Sequence, residues 1–131
     1  MRRQAKRADL SDRVRFLPPR ADVERLYPCM DALALPSLWE GLPLALLEAG
    51  AAGVPVVASD APGIRELVAH ETTGLFFPAG DASALSRALV RLARDPALAA
   101  RMAAALLKRV EENHTVQRMV RDHAALYRTV L

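Results

Sequence analysis

Two glutamates, Glu40 and Glu48, stand on either side of a predicted helix start. Pro43 is a favourable first helical residue, so the N–H groups of Leu44 and its successors lack partners within the helix and carry the positive end of its dipole. Such a helix start can bind phosphate. Glu48 lies one turn beyond Leu44, roughly 6 Å along the axis. Because carboxylates accept hydrogen bonds from hydroxyl groups, two of them around a phosphate site suit a nucleotide sugar.

The setting of these glutamates matters more than their spacing. Two carboxylates about two turns apart are also typical of a solvated stripe on a helix surface. Here, however, residues 36–48 place their polar groups where a predicted strand ends and a helix begins. In α/β sheets, ligands bind at the carboxyl ends of the strands. The position therefore favours a ligand site over a solvated stripe.

Apolar runs alternate with helical patterns in the first half of the chain. The runs at residues 14–17, 32–35 and 55–59 predict strands, and the segments 22–30 and 43–52 predict helices between them. Nearly uninterrupted apolar strands are typical of a parallel sheet covered by helices on both faces. The pattern thus predicts an α/β fold of the doubly wound kind.

The second half of the chain is predicted to be helical. It follows a turn at 60–63, a short helix at 64–69 and an extended piece at 73–78; the later helices are expected at 82–94, 96–112 and 116–130. We therefore expect one partial domain over 1–131, with an α/β nucleotide-sugar-binding part at 10–80 and C-terminal helices at 81–131. A helix-like leader at 2–8 precedes the first strand, so the chain is expected to begin in mid-fold.

Composition excludes several classes of protein. A chain that is 52% hydrophobic and 25% charged is an ordinary globular one. The net charge of +3 comes from arginines spread over helix faces, so we expect no nucleic-acid partner. Neither the single cysteine, Cys29, nor the scattered histidines have metal-ligand spacing, and we expect no metal or other cofactor. No signal peptide or long apolar run is present, which favours a cytoplasmic location. Peripheral membrane contact through another domain is a remaining alternative.

The two glutamates and the residues around them resemble the Glu-x7-Glu motif of retaining GT-B glycosyltransferases, the glycosyl transferases group 1 type. The likeness covers most of residues 13–80. The matching positions are Pro36-Ser37, Glu48-Ala49, Gly53-x-Pro55-Val-Val, Asp60-x-x-Gly63-x-x-Glu66 and Thr73-Gly74-Leu75.

This resemblance implies a partial Rossmann-like parallel sheet with flanking helices, the C-terminal half-domain of GT-B, followed by a helical tail. It also implies roles for individual residues. Glu40 would be the catalytic residue that contacts hydroxyls of the donor sugar, helped by the backbone of Gly41 and Leu42. Leu44 would offer its N–H to the diphosphate, and Glu48 would bind the ribose. The reaction would transfer a hexose from a nucleoside diphosphate sugar to a glycan, lipid or small-molecule acceptor without a metal ion.

The sequence departs from the family pattern at two places. Leu42-Pro43 stands where Phe-Gly is frequent, and Pro43, although part of the substrate-binding loop, has no N–H to donate. Gly50 stands where Met is usual, and a glycine inside a helix costs roughly 0.5–1 kcal/mol relative to alanine.

The resemblance also implies parts that this sequence lacks. The family places an Arg and a Lys that neutralise the diphosphate before any segment present here, and an N-terminal acceptor domain before those. We therefore expect the chain to be incomplete for catalysis and inactive alone, needing the missing N-terminal acceptor domain or a partner chain. The competing interpretation is a non-catalytic, truncated or split-chain interaction module. A flavodoxin-like receiver domain also fits the alternation of strands and helices. Such a domain has an acidic pocket at the end of its first strand, which this sequence lacks.

Three smaller expectations concern single side chains. Trp39 is expected either to pack against a neighbouring helix or to stack on a ligand. Cys29 is expected to fill apolar space. Leu126, Tyr127 and Val130 on the last helix are expected to be exposed, because in GT-B relatives this helix packs toward the N-terminal domain.

Overall fold

The structure is a computed structural model that describes residues 2–130, except for the side chain of Arg2. The two ends of the expected range 1–131 therefore lie outside the described residues. Three strands form one parallel sheet in the order β1-β2-β3: β1 (Leu33–Leu35), β2 (Val56–Ser59) and β3 (Leu75–Phe77). Ala34 lies opposite Val57, and Ala58 lies opposite Phe76. The predicted α/β class with a parallel sheet is confirmed.

Helices connect and follow these strands. Two aspartates fix helix starts: the side chain of Asp81 accepts from the N–H of Ala84 at 2.8 Å, and Asp95 accepts from the N–H of Leu98 at 2.9 Å. Both are N-caps, which supply an acceptor for a backbone donor that the helix cannot satisfy. The helices are α1 (Arg2–Arg7), α2 (Leu44–Ala51), α3 (Ile64–Leu67), α4 (Ala82–Arg94), α5 (Pro96–Asn113) and α6 (Val116–Val130).

The central strand β2 separates two apolar clusters. All four of its residues are buried, because helices cover both faces of the sheet. Val56 and Ala58 join one cluster and Val57 joins the other, as expected when successive side chains point to opposite faces. The first cluster also contains Tyr27, Leu46, Ile64, Leu67 and Leu106, and the second contains Leu75, Phe77, Leu92, Leu98 and Met102.

Helices α2 and α5 approach closely at Gly50. A Cβ atom on Gly50 would lie 2.9 Å from Cγ of Leu106 and 3.0 Å from Cγ2 of Val110. Leu106 is completely buried, so it has little room to move. The glycine that was expected only to weaken α2 is therefore the residue that lets the two helices pack together.

Two expected elements were wrong. Residues 14–17 adopt no regular structure, and the third strand of the sheet is instead β3, within the segment expected to be merely extended. A strand needs a hydrogen-bonding neighbour, and residues 14–17 form no ladder with any of the three strands of the sheet. Residues 22–30 form two 3₁₀ turns, Val23–Arg25 and Tyr27–Cys29, rather than one helix. Pro28 has no N–H to continue an α-helical ladder.

The outer surface carries exposed apolar residues on α6. Leu126, Tyr127 and Val130 are all exposed, as expected. Cys29 is exposed too, so the expectation that it fills apolar space was wrong. Over residues 2–130, no helix combines the length and apolar character required to cross a membrane.

Candidate functional site

The loop after β1 is tied to the end of β2 by two serine hydroxyls. Ser59, the last residue of β2, is buried, and its hydroxyl donates to the backbone carbonyl of Ser37. The hydroxyl of Ser37 in turn donates to Oε1 of Glu40 at 2.6 Å. This pair of bonds fixes the half-buried Glu40 carboxylate relative to the carboxyl ends of both strands.

A second contact supports the same loop from the opposite side. Gly63 has a φ of +80°, and a Cβ atom there would lie 2.9 Å from the carbonyl carbon of Glu40 and closer still to the carbonyl oxygens of Glu40 and Gly41. The turn after β2 therefore presses directly on the backbone of the loop after β1. That turn is anchored in its own right, because Asp60 donates its N–H to the carbonyl of Phe77 at 2.8 Å and its carboxylate pairs with Arg65 at 2.5 and 2.9 Å.

Helix α2 begins immediately after this loop. Pro43 is the N-cap rather than the first helical residue, with φ −76° and ψ 94°, and its carbonyl accepts from the N–H of Leu46 at 3.0 Å. In an α-helix the first N–H groups have no intrahelical acceptor, so those of Leu44 and Ala45 face the loop. Leu42 and Leu44 are exposed, and the helix start is therefore accessible to a ligand. A dipole end of this kind attracts an anion.

Glu48 projects from α2 one turn after Leu44 and is held by a tyrosine. The hydroxyl of Tyr27 donates to Oε2 of Glu48 at 2.6 Å. Tyr27 is only 4% exposed, and burial together with the Glu48 carboxylate raises the pKa of Tyr27 to about 12. The phenol therefore remains a proton donor at neutral pH. Sequence reasoning missed this residue, since 21 positions separate the partners and no periodic pattern joins them.

Together these contacts place all six expected site residues along one loop and the first turns of one helix. Each glutamate is oriented by a hydroxyl on one of its oxygens, Oε1 in Glu40 and Oε2 in Glu48. The helix start lies between them in the chain. Two oriented acceptors and a set of free backbone donors can bind hydroxyls and an anion at the same time.

An apolar cavity of about 280 Å³ adjoins this loop. Leu42, Leu44 and Leu47 line one wall, and the junction of α5 with α6 lines the other, including His114. Burial lowers the pKa of His114, and the positive charges of Arg109 and Arg118 lower it further. Trp39, beside Glu40, is 73% exposed, so the expectation that it packs against a helix was wrong.

Comparison with known proteins decides the family. Residues 1–95 match the family described as Glycosyl transferases group 1. The chain belongs to this family. Its similarity to the lipopolysaccharide core biosynthesis mannosyltransferase LpsB of Rhizobium meliloti is 33% identity over the whole chain and 38% of that relative. A D-inositol 3-phosphate glycosyltransferase of Salinispora tropica is 38% identical over 90% of the chain and 25% of its own length.

Two solved structures show the same fold. Sucrose-phosphate synthase from Thermosynechococcus elongatus superposes with a TM-score of 0.91 and 32% identity over 98% of the chain and 33% of that protein. HepE of Anabaena, crystallised in complex with UDP-glucose, gives a TM-score of 0.92 and 28% identity over 99% of the chain and 36% of that protein. The group 1 chain thus has the Rossmann-like C-terminal half-domain of the GT-B fold. It spans about a third of the length of these two structures.

Proposed function

We propose that this chain is the donor-binding portion of a glycosyltransferase that transfers a hexose from a nucleoside diphosphate sugar to a glycan, lipid or small acceptor. The observation that carries the proposal is the pair of oriented carboxylates with an accessible helix start between them in the chain. The crystals of HepE with UDP-glucose support the choice of ligand class, because that protein shares this fold.

In this proposal each residue has a separate task. Glu40 contacts hydroxyls of the donor sugar as the catalytic residue, while the backbone of Gly41 and Leu42 holds the sugar. The N–H groups at the α2 start face the diphosphate and stabilise the negative charge that grows on it as the glycosidic bond breaks. Glu48 accepts hydrogen bonds from the ribose. Pro43 sets the direction of the helix start through its fixed φ. No metal ion is required in this scheme, and the configuration at the sugar carbon is retained.

We further propose that the chain binds its donor but does not catalyse sugar transfer by itself. It spans 38% and 25% of the length of two glycosyltransferase relatives, so an acceptor-binding domain or a partner chain is expected to complete the cleft. Two halves that close on the substrates orient them and exclude water, which a lone half cannot do.

The test compares two isosteric substitutions, Glu40→Gln and Glu48→Gln. Chemical-shift titrations follow binding of UDP, ADP and GDP and of their glucose conjugates to each protein. A hydrogen bond to a charged group contributes about 1.5–3 kcal/mol, so a lost contact should weaken binding by roughly 10-fold or more. Glu48→Gln should weaken binding of nucleotide and nucleotide sugar alike, whereas Glu40→Gln should weaken binding of the nucleotide sugar only.

Glu111→Gln is the matched control, because Glu111 is an exposed glutamate of α5 and does not line the cavity beside the loop. It should bind every probe as the wild type does. If Glu40→Gln and Glu48→Gln both behave like this control, the assignment of the donor site is wrong.

The second candidate function is a non-catalytic interaction module, which the exposed apolar face of α6 favours. For such a module, Glu48→Gln would not change the binding of any of the nucleotides. The same titrations therefore separate the two functions.

A further inference from the structure

We propose that Tyr27 is a positioning residue of the donor site, whose hydroxyl holds the Glu48 carboxylate in the orientation that meets the ribose. The inference rests on the proposed ribose contact of Glu48 and adds a residue from a different part of the chain. In this proposal, the preference of the site for ribose over dideoxyribose depends on Tyr27, a side chain that need not touch the ligand.

Tyr27 is held in the core, and its hydroxyl forms the bond to Glu48. The residue begins the 3₁₀ turn Tyr27–Cys29, and it belongs to the apolar cluster that also contains Leu46 and Ala49 of α2. It is 4% exposed, so its ring is fixed by packing. The 2.6 Å separation between its hydroxyl and Oε2 of Glu48 is typical of a hydrogen bond to a charged oxygen.

Glu48 needs such a partner because of its position. It lies on the exposed side of α2, where a free glutamate side chain samples many rotamers. Binding a ligand through a mobile carboxylate requires that freedom to be lost at the moment of binding. The bond from Tyr27 restricts the carboxylate beforehand and occupies Oε2, so Oε1 is the oxygen proposed to meet the ribose. The affinity gain should therefore appear only with ligands that reach Glu48.

A purely structural role for the same bond makes a different prediction. A buried tyrosine hydroxyl needs an acceptor, and Glu48 supplies one. If that is its whole purpose, removing the hydroxyl changes stability, and any loss of affinity is the same for ligands with and without ribose hydroxyls. The ratio of two affinities therefore separates positioning from support of the fold.

The experiment measures that ratio by chemical-shift titration with UDP and 2′,3′-dideoxyuridine diphosphate, and with the corresponding adenosine and guanosine pairs. The proteins are wild type, Tyr27→Phe, Glu48→Gln and the double variant. Tyr127→Phe is the matched control, because Tyr127 is the second tyrosine of the chain and is exposed on α6. Tyr27→Phe should weaken binding of the ribonucleotide by about 2- to 10-fold, the cost of ordering one flexible side chain at the moment of binding, and leave the dideoxynucleotide unchanged. In the Glu48→Gln background it should have no further effect.

Equal weakening of both ligands by Tyr27→Phe, or no weakening of either, would overturn the positioning role while the donor site stands. A wild type that binds none of the ribonucleotides would remove the proposed function and this inference with it. If Tyr27→Phe does not fold, side-chain relaxation of the glutamates in the wild type decides. A Glu48 side chain that is as mobile as that of the exposed Glu111 before nucleotide is added refutes the inference, and a restricted Glu48 side chain supports it.

Discussion

Because Gly63 lies against the loop at Glu40, a single methyl group added at Gly63 should displace that loop. Gly63→Ala would place a Cβ atom 2.9 Å from the carbonyl carbon of Glu40, where ordinary contact begins at 3.4 Å. The atoms it meets are backbone, which cannot rotate away as a side chain can. Since the carbonyl oxygens of Glu40 and Gly41 would lie closer still, the loop after β1 must shift by more than about 0.5 Å, and the Glu40 carboxylate shifts with it.

The size of the effect follows from two separate costs. Alanine in a sparsely populated backbone conformation costs about 1–3 kcal/mol, which applies because Gly63 has a φ of +80° and a ψ of −39°. Overpacking adds typically about 1–3 kcal/mol. Gly80 has a φ of +84° and open space where its Cβ would lie, so Gly80→Ala measures the cost of a positive φ without overpacking. We expect Gly63→Ala to be destabilised by about 2–6 kcal/mol in total, and by more than Gly80→Ala.

Urea unfolding followed by circular dichroism gives the free energies of unfolding of the two variants. Titration with a nucleotide sugar under native conditions then tests the link to the site, where Gly63→Ala should bind more weakly than Gly80→Ala. The reasoning is refuted if the two variants are equally stable and bind equally well. That outcome would mean that the loop moves freely and that the contact does not position Glu40.

Two further predictions concern packing and pH. Gly50→Ala should lower the free energy of unfolding by up to about 2 kcal/mol, because overpacking against Leu106 outweighs the gain of about 1 kcal/mol in helix propensity. In urea unfolding, the loss measured for the double variant Gly50→Ala/Leu106→Ala should be smaller than the sum of the two single losses. The pKa of His114 in the folded protein lies below its ordinary value of 6.5. The folded state therefore binds fewer protons than the unfolded chain, and stability should rise as the pH increases toward 6.5 and then level off. Thermal unfolding from pH 5 to 8 should show a smaller slope for His114→Gln, and an unchanged slope would contradict the assignment.

Local sequence signals predicted much of the fold. The helices expected at 82–94 and 96–112 correspond to α4 and α5, which begin directly after the capping residues Asp81 and Asp95. The class of the sheet followed from the apolar character of β2, which is buried on both faces. These features depend on residues close in sequence, which is why a single sequence reveals them.

The remaining features depend on partners that are distant in sequence. Residues 14–17 have a strand-like composition, yet pairing decides whether a strand forms, and these residues form no ladder with a strand of the sheet. From the sequence, Gly50 is expected only to weaken α2, and the structure is needed to show that Leu106 lies against it. In the candidate site, the loop between β1 and α2 could be predicted and the roles of the two glutamates stay a prediction, whereas the bond from Tyr27 to Glu48 had no signal in the sequence.

The exposure of Trp39 has a practical consequence. It is the chain's single tryptophan, it is 73% exposed, and it directly precedes Glu40. Indole fluorescence shifts when water around the ring is replaced by other groups, and no tryptophan in the core contributes a background signal. The emission of this chain therefore reports on the loop at Glu40, so that the proposed sugar contact has an optical reporter one residue away without any label.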